Sequence, residues 1–261
     1  MIALIAADVD GTLLENGMQE LSDRVVEQMN ALQEAGVLFA AASGRQYPNL
    51  KHLFRRVKGD VLYICENGAL VVYKNKVIHK LPILRTMGLE LMEDIWTQKD
   101  CEILLSGKTT SYLLPKQMRF YEYMEQVVGN QCTLMQHPNQ VQEEYIKISA
   151  YCKEGITPYT DYFKERWQNR LNVAVSGQCW IDFNNRNANK GTALHKVQQQ
   201  FGISVEDTVA LGDNFNDLEM FEQCYFSYAM RHADSEVRRK AHYVTEDVES
   251  VLQDVLYLRQ R

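Results

Sequence analysis

The chain opens on a continuous apolar stretch, Ile2–Val9, that runs straight into acidic residues, and short runs of the same kind recur at Val37–Ala42, Val61–Cys65 and Thr208–Leu211. Brief runs without alternation read as strands buried on both faces. After the first run, Leu21, Val25, Met29 and Leu32 follow helical spacing, with Ser22 placed to cap the helix and Gly36 to stop it. A helix through Leu50, Leu53 and Phe54 precedes the strand Val61–Cys65. Strand-helix-strand order with uniformly apolar strands predicts an α/β fold, a doubly wound parallel sheet covered by helices on both faces.

The pattern then changes. Leu70–Tyr73 and Val77–His79 flank Lys74-Asn75-Lys76, a hairpin signal. From about Leu81 to Asn185 the order becomes helix, two strands, helix, strand, helix, two strands. The pieces are a helix at Leu89–Trp96, strands Cys101–Leu105 and Ser111–Leu114, and a helix at Gln117–Val128. A strand Tyr145–Tyr151, a helix Tyr159–Trp167 and strands Asn172–Ser176 and Trp180–Phe183 follow. This is an α+β unit of its own, inserted between two halves of the parallel core. The expected division is a core of residues 1–81 and 185–261 with an inserted cap of residues 82–184. The core resumes with a helix at Ala193–Gln200, the strand Thr208–Leu211 and a helix from Asp217.

Composition narrows the function classes. Of 261 residues, 46% are hydrophobic and 24% charged, as in an ordinary soluble protein. The net charge of −6 argues against a general nucleic-acid or membrane-surface binder, since those need a basic field. Six cysteines are scattered without a C-x-x-C pair, which is neither a zinc pattern nor a secreted disulfide framework. The first apolar run has no basic residues before it and meets two aspartates too soon for a signal peptide, and no stretch approaches a membrane span. A cytoplasmic protein is the expectation.

Candidate chemistry sits at the strand ends. Asp8-Val9-Asp10-Gly11-Thr12 ends the first strand, and Gly212-Asp213-Asn214-Phe215-Asn216-Asp217 ends the run at Thr208–Leu211. Asp8 and Asp10 are two apart, so strand alternation would place them on one side, and Gly11 permits a sharp turn. A plain hairpin at Asp10-Gly11 would need a second strand, but Thr12-Leu13-Leu14 gives way at once to Glu15-Asn16-Gly17. Asp213 and Asp217 straddle a strand-to-helix turn, where turn and cap chemistry is the plainer alternative. Four carboxylates converging on the crevice beyond parallel strands would repel one another without a cation. That points to a divalent metal and to chemistry on an anion. Ser43-Gly44-Arg45 offers a hydroxyl and backbone N–H groups suited to phosphate oxygens, although a lone Ser-Gly is usually a loop. Lys190 precedes Gly191 at a helix start, a poor place for a cation unless an anion is shared, although an isolated lysine is more commonly a solvated one in a polar loop.

Other motifs fail. A calcium loop would need an oxygen ligand at Phe215 and glycine at Leu218. Gly107-Lys108-Thr109 mimics the tail of a P-loop, but the required upstream glycine is Glu102, and no dinucleotide fingerprint follows the first strand. The six histidines form no ligand spacing and read as structural or exposed.

DVDGTLL, AASGR, NKG and GDNFND, in this order along the whole chain, resemble the motifs of the haloacid dehalogenase superfamily of phosphatases. The α+β insertion and Glu66-Asn67-Gly68-Ala69 resemble its Cof-type members. The resemblance implies a Rossmann-like core with an α+β cap that selects substrates. It implies Asp8 as the nucleophile that carries an aspartyl-phosphate and Asp10 as the acid and base. Thr12 and Ser43, with the Gly44 backbone, would hold the phosphoryl group, Lys190 would neutralise it, and Asn216 would orient the phosphate or Lys190. Mg²⁺ would be held by Asp8, the Asp10 carbonyl and Asp213, with Asp217 behind them. Arg45 is placed at the crevice mouth.

The expected activity is Mg²⁺-dependent hydrolysis of small phosphorylated metabolites, such as sugar phosphates. A phosphomutase or phosphotransferase, or a binding module without turnover, is the alternative. The expected partner is a small phosphorylated metabolite rather than nucleic acid or membrane, and the sequence leaves the oligomeric state open with a monomer plausible.

Overall fold

A computed structural model describes residues 1–14 and 18–259. The Glu15-Asn16-Gly17 stretch that argues against a hairpin lies outside the described residues. In chain order, β1 (Leu4–Asp8), α1 (Asp23–Glu34), β2 (Leu38–Ala42), α2 (Tyr47–Leu53) and β3 (Val61–Cys65) come first. A 3₁₀ turn at Glu66–Gly68 leads into β4 (Leu70–Tyr73) and β5 (Lys76–Lys80). Next come α3 (Arg85–Thr97), β6 (Cys101–Ser106), β7 (Ser111–Leu114), α4 (Met118–Gln126) and β8 (Cys132–Leu134). They are followed by β9 (Lys147–Cys152), α5 (Thr157–Trp167), β10 (Leu171–Gly177) and β11 (Trp180–Asn185). The chain ends with α6 (Lys190–Phe201), β12 (Thr208–Gly212), α7 (Leu218–Phe221), β13 (Phe226–Met230), α8 (Ser235–Lys240), β14 (Tyr243–Thr245) and α9 (Val248–Arg259).

The chain divides into two compact units, one of residues 1–45, 50–79 and 189–261, the other of residues 46–49 and 80–188. The first holds an eight-stranded sheet in the order β14-β13-β12-β1-β2-β3-β4-β5. Its strands are parallel from β14 to β3 and turn antiparallel at β4. All five residues of β1 are buried, as a strand covered on both faces requires. One face packs Leu4, Ala6, Ala40, Leu62 and Ile64 against Leu194 and Val197 of α6 and Met220 of α7. On the other, α1 lies against α9, tied by Gln28 Nε2 donating to the Glu249 carbonyl at 2.9 Å. Ser22 caps α1 by accepting from Val25 N–H at 3.2 Å; Leu21 therefore precedes the helix instead of belonging to it. Lys74 and Asn75, both at positive φ, make the two-residue turn between β4 and β5.

The strand order places β1 between β12 and β2, where the chain changes winding direction. Crevices form at the carboxyl ends of strands at such a switch point. β1 ends at Asp8, earlier than the apolar run suggests, because the backbone turns there. Leu14 N–H returns to the Val9 carbonyl at 2.8 Å and Gly11 N–H to the Leu14 carbonyl at 2.9 Å. Asp10-Gly11 is thus a turn with only an isolated bridge between Asp10 and Leu14, and no hairpin strand follows it among the described residues.

The second unit is a six-stranded sheet, β10-β11-β9-β6-β7-β8, antiparallel except between β7 and β8. Ile103, Leu105, Ile148, Ile181 and Phe183 face Leu91, Ile95, Phe163 and Trp167 of α3 and α5. Buried Asp94 joins the two helices by accepting from Trp167 Nε1 at 2.7 Å, Tyr162 OH at 2.6 Å and Arg166 Nε at 3.1 Å. Phe120 and Met124 of α4 pack with Leu104, Leu113 and Tyr151. β8 has no hydrophobic signature, with Thr133 and Leu134 exposed, and exists through its pairing with β7. No helix among the described residues is long and apolar enough to cross a membrane.

Packing at α6 has no slack. A Cβ on Gly191 would lie 2.1 Å from the backbone carbonyl oxygen of Glu219, which cannot retreat without moving α7. Gly191→Ala should therefore destabilise the protein by about 1–3 kcal/mol through overpacking. That exceeds the roughly 0.5–1 kcal/mol an alanine normally gains over glycine in a helix. The guanidinium unfolding midpoint reports it, and an unchanged midpoint would refute the close approach.

Candidate active site

At the carboxyl edge of the first unit's sheet, β1 delivers Asp8, β2 delivers Ser43, and β12 delivers Gly212 and Asp213. Asn189 caps α6, its side chain accepting from Thr192 N–H at 2.6 Å, and so starts the helix at Lys190. The Lys190 side chain is fully buried, and its Nζ donates to Asp8 and, at 2.6 Å, to Asp217 Oδ1. Asp217 is equally buried; its other oxygen accepts from the backbone N–H groups of Asp213 and Asn214, each at 3.0 Å. A 3₁₀ turn, Phe215–Asp217, presents it, and α7 begins one residue later than the sequence suggests.

Asp8, Asp213 and Asp217 each offer an oxygen within 4.8 Å of the others. One ammonium among three carboxylates leaves net negative charge in a poorly solvated place, and the ionisation of the group reflects it. Burial pushes the Asp8 carboxyl well above its usual range; Lys190 opposes the shift, while Asp217 and Asp213 add to it. Burial, with Asp217 nearby, also raises Asp213. For Lys190, burial favours the neutral amine, but Asp217 and Asp8 outweigh it and hold the proton more tightly than on a free lysine. The residues fit a hard divalent cation, since every donor is oxygen and a positive ion would relieve the residual repulsion.

The remaining expected residues divide. Thr12 is buried and its hydroxyl donates to Asp213 Oδ1 at 3.1 Å. Gly11, at φ +89°, lets the turn pass so close that a Cβ would meet Asp213 Oδ2 at 2.3 Å. Ser43 is buried and its Oγ accepts from Arg45 N–H at 3.1 Å. Gly44 lies against the Asn67 side chain, with a built Cβ 3.3 Å from it. Asn216 donates to Asn67 Oδ1 at 3.0 Å, and among the described residues no hydrogen bond links it to Lys190.

Asp10 departs from the alternation argument. Because β1 ends at Asp8, Asp10 belongs to the turn and is exposed, gripped by Arg45 through Nε at 2.9 Å and Nη2 at 2.5 Å.

Two residues near the site carry no role in the sequence reading. Asn67, in the left-handed region at φ 54°, bridges the Gly44 and Asn216 loops; its place in Glu66-Asn67-Gly68 was its only signal. Half-exposed His232 stands 3.7 Å from Asp213 Oδ2, and nothing in the spacing of the histidines marks it.

A family model described as haloacid dehalogenase-like hydrolase matches residues 5–252. The chain is 26% identical over 243 residues to a 5-amino-6-(5-phospho-D-ribitylamino)uracil phosphatase of Escherichia coli, covering 93% of this chain and 90% of the relative. It is 27% identical over 248 residues to phosphoglycolate phosphatase 1 of Saccharolobus solfataricus, covering 95% and 90%. A haloacid dehalogenase-like hydrolase from Bacteroides thetaiotaomicron shares the fold with a TM-score of 0.85 at 19% identity, covering 98% of this chain and 100% of that one.

The buried ion cluster makes a stability prediction. Lys190→Met leaves Asp8 and Asp217 without their cation and should cost about 3–5 kcal/mol near neutral pH without added metal. The loss should shrink on acidification. Burial raises the Asp8 carboxyl and Lys190 opposes it, so removing Lys190 raises the carboxyl further in the variant. A raised carboxyl contributes stability at low pH that disappears as pH rises through the folded value, and the variant's deficit closes toward acid. Denaturant midpoints across pH in chelator test this, and a deficit that grew toward acid would contradict the assignment of charge.

Proposed function

Since the chain belongs to the haloacid dehalogenase-like hydrolases, as a Cof-type member, we propose that it hydrolyses small phosphomonoesters through a covalent phosphate on Asp8. The arrangement that supports this most is Asp8 at the end of β1, fixed by buried Lys190 beside Asp213 and Asp217. The matched relatives are named as phosphatases of a ribitylaminouracil phosphate and of phosphoglycolate, which supports phosphoric monoester hydrolysis on small metabolites.

In this reading, a carboxylate oxygen of Asp8 attacks phosphorus and the bond to the leaving alcohol oxygen breaks. Asp10 gives that oxygen its proton, because an alkoxide leaves poorly at neutral pH. Water then attacks the phosphorus of the aspartyl-phosphate, Asp10 takes the water's proton, and phosphate leaves with Asp8 restored. To do so the Asp10 carboxylate must part from Arg45. The Thr12 and Ser43 hydroxyls and the Gly44 N–H hold phosphoryl oxygens, Lys190 neutralises their charge, and Asn216 with Asn67 borders the pocket. Asp8, the Asp10 carbonyl and Asp213 would hold Mg²⁺, with Asp217 behind them. Bound there, the ion screens repulsion between the nucleophile and a phosphate dianion. The inserted unit, expected at residues 82–184, selects the leaving group and takes no part in the chemistry.

Phosphate release from a panel of sugar phosphates, nucleotides and phosphorylated acids, with Mg²⁺ and with chelator, tests the proposal. Release should require Mg²⁺, and Asp8→Asn should lower it by about 10⁴-fold or more with the fold intact. Mg²⁺-dependent turnover surviving in that variant would overturn the nucleophile. Transfer to an added alcohol in preference to water would favour a phosphotransferase.

A further inference from the structure

The second unit carries a cleft of about 300 Å³ that the proposed chemistry does not use. It opens among the turn from α3 into β6, the first turns of α4, and the end of β9. Its volume is at the lower bound of small-molecule sites.

The charges lining it are unevenly engaged. Of its three carboxylates, Glu102 is turned onto protein donors, accepting from the backbone N–H of Lys116 at 2.7 Å and of Gln117 at 3.3 Å. Asp100 accepts from the Tyr159 hydroxyl at 2.9 Å. Lys116 is likewise committed, to the Gln98 carbonyl at 2.6 Å and to the Trp96 ring, its ammonium 5.0 Å from the centroid. Lys99, Arg119 and Lys153 remain, and among the described residues their side chains have no hydrogen-bond or ion-pair partner. The lining carries four cations against three carboxylates, so in a chain of net charge −6 the cleft is locally positive, a field that favours an anion near the three cations without a partner.

The wall is aromatic. Tyr151 stacks on Phe120 at 5.1 Å and 18° and on Tyr123 at 5.2 Å and 22°, with Trp180 at 4.7 Å. Phe120 and Tyr151 are buried and Tyr123 is half exposed, so the stack is fixed at its base and offers Tyr123 at the mouth. A planar ring laid there meets a rigid surface. Glu154, the third carboxylate, has no side-chain partner among the described residues and is available to accept from ligand hydroxyls.

An anionic phosphate, a planar ring and vicinal hydroxyls occur together in a nucleotide. We propose that this cleft is a nucleoside monophosphate site, with the phosphate at Lys99, Arg119 and Lys153, the base against Tyr123 and the ribose hydroxyls at Glu154. It lies wholly within the second unit and does not depend on Asp8, Lys190 or Mg²⁺.

Calorimetric titration of the full chain with adenosine monophosphate and uridine monophosphate, in chelator, separates this site from the proposed phosphoryl centre. Saturable binding should occur, persist in Asp8→Asn, and weaken by about tenfold or more in Arg119→Glu combined with Lys153→Glu. Tyr123→Ala should weaken it as well. If the double charge reversal fails to fold by circular dichroism, Arg119→Gln and Lys153→Gln singly carry the same test. No saturable binding of either nucleotide overturns the proposal. So does binding that disappears in Asp8→Asn while remaining indifferent to the charge changes at 119 and 153.

Discussion

A lysine ammonium with no exposure to solvent must be met by anions, and Lys190 is met by two, Asp8 and Asp217. Either carboxylate alone at this depth would carry a large desolvation penalty, and so would the lysine. Asp217 is fixed from its far side by the N–H groups of Asp213 and Asn214, so the position of Lys190 is set, and with it that of Asp8. Two carboxylates already exceed one ammonium, and Asp213 adds a third beside them. Burial first, and the neighbouring carboxylates after it, raise Asp8 and Asp213, and a divalent cation is the simplest group to answer the surplus charge.

Asp8 comes from the other end of the chain, 182 positions before Lys190, while Asp217 lies 27 positions after it. Parallel winding makes this possible, since β1 is central and its neighbours β12 and β2 bring their carboxyl ends to the same edge. Two glycines then remove obstacles. Gly11 lets the first loop pass over Asp213, and Gly191 lets α6 lie on the backbone of α7, where Lys190 reaches inward toward the cluster.

The parallel core was legible because its strands are short uniform apolar runs, as at Ala40-Ala41-Ala42, which could be nothing else between helices of clear period. The pairing of Asp8 with Asp213 was legible through residue type and position at strand ends. The side chain of Asp10 was not, since strand alternation cannot be carried past the residue where the strand stops. β8 was missed because its three residues have no pattern of their own. The elements after α7 have no counterpart in the sequence reading, although Phe226–Met230 is an apolar run and Val248, Val251, Leu252, Val255 and Leu256 keep helical spacing. Asn67 and His232 reach the site through tertiary proximity alone. The nearest stretch of the second unit to the Ser43-Gly44-Arg45 loop in sequence, residues 46–49, also groups with that unit in a way no local signal announces.

The account stands or falls on whether Asp8 accepts a phosphoryl group. In Asp10→Asn, para-nitrophenyl phosphate should still phosphorylate Asp8, because nitrophenolate leaves without an acid, while hydrolysis lacks its base. With Mg²⁺, a stoichiometric burst of nitrophenolate followed by slow turnover is expected, and acid quenching with peptide mass spectrometry should place the phosphoryl group on Asp8. Continued turnover with no burst and no adduct, or an adduct on another residue, would contradict the account.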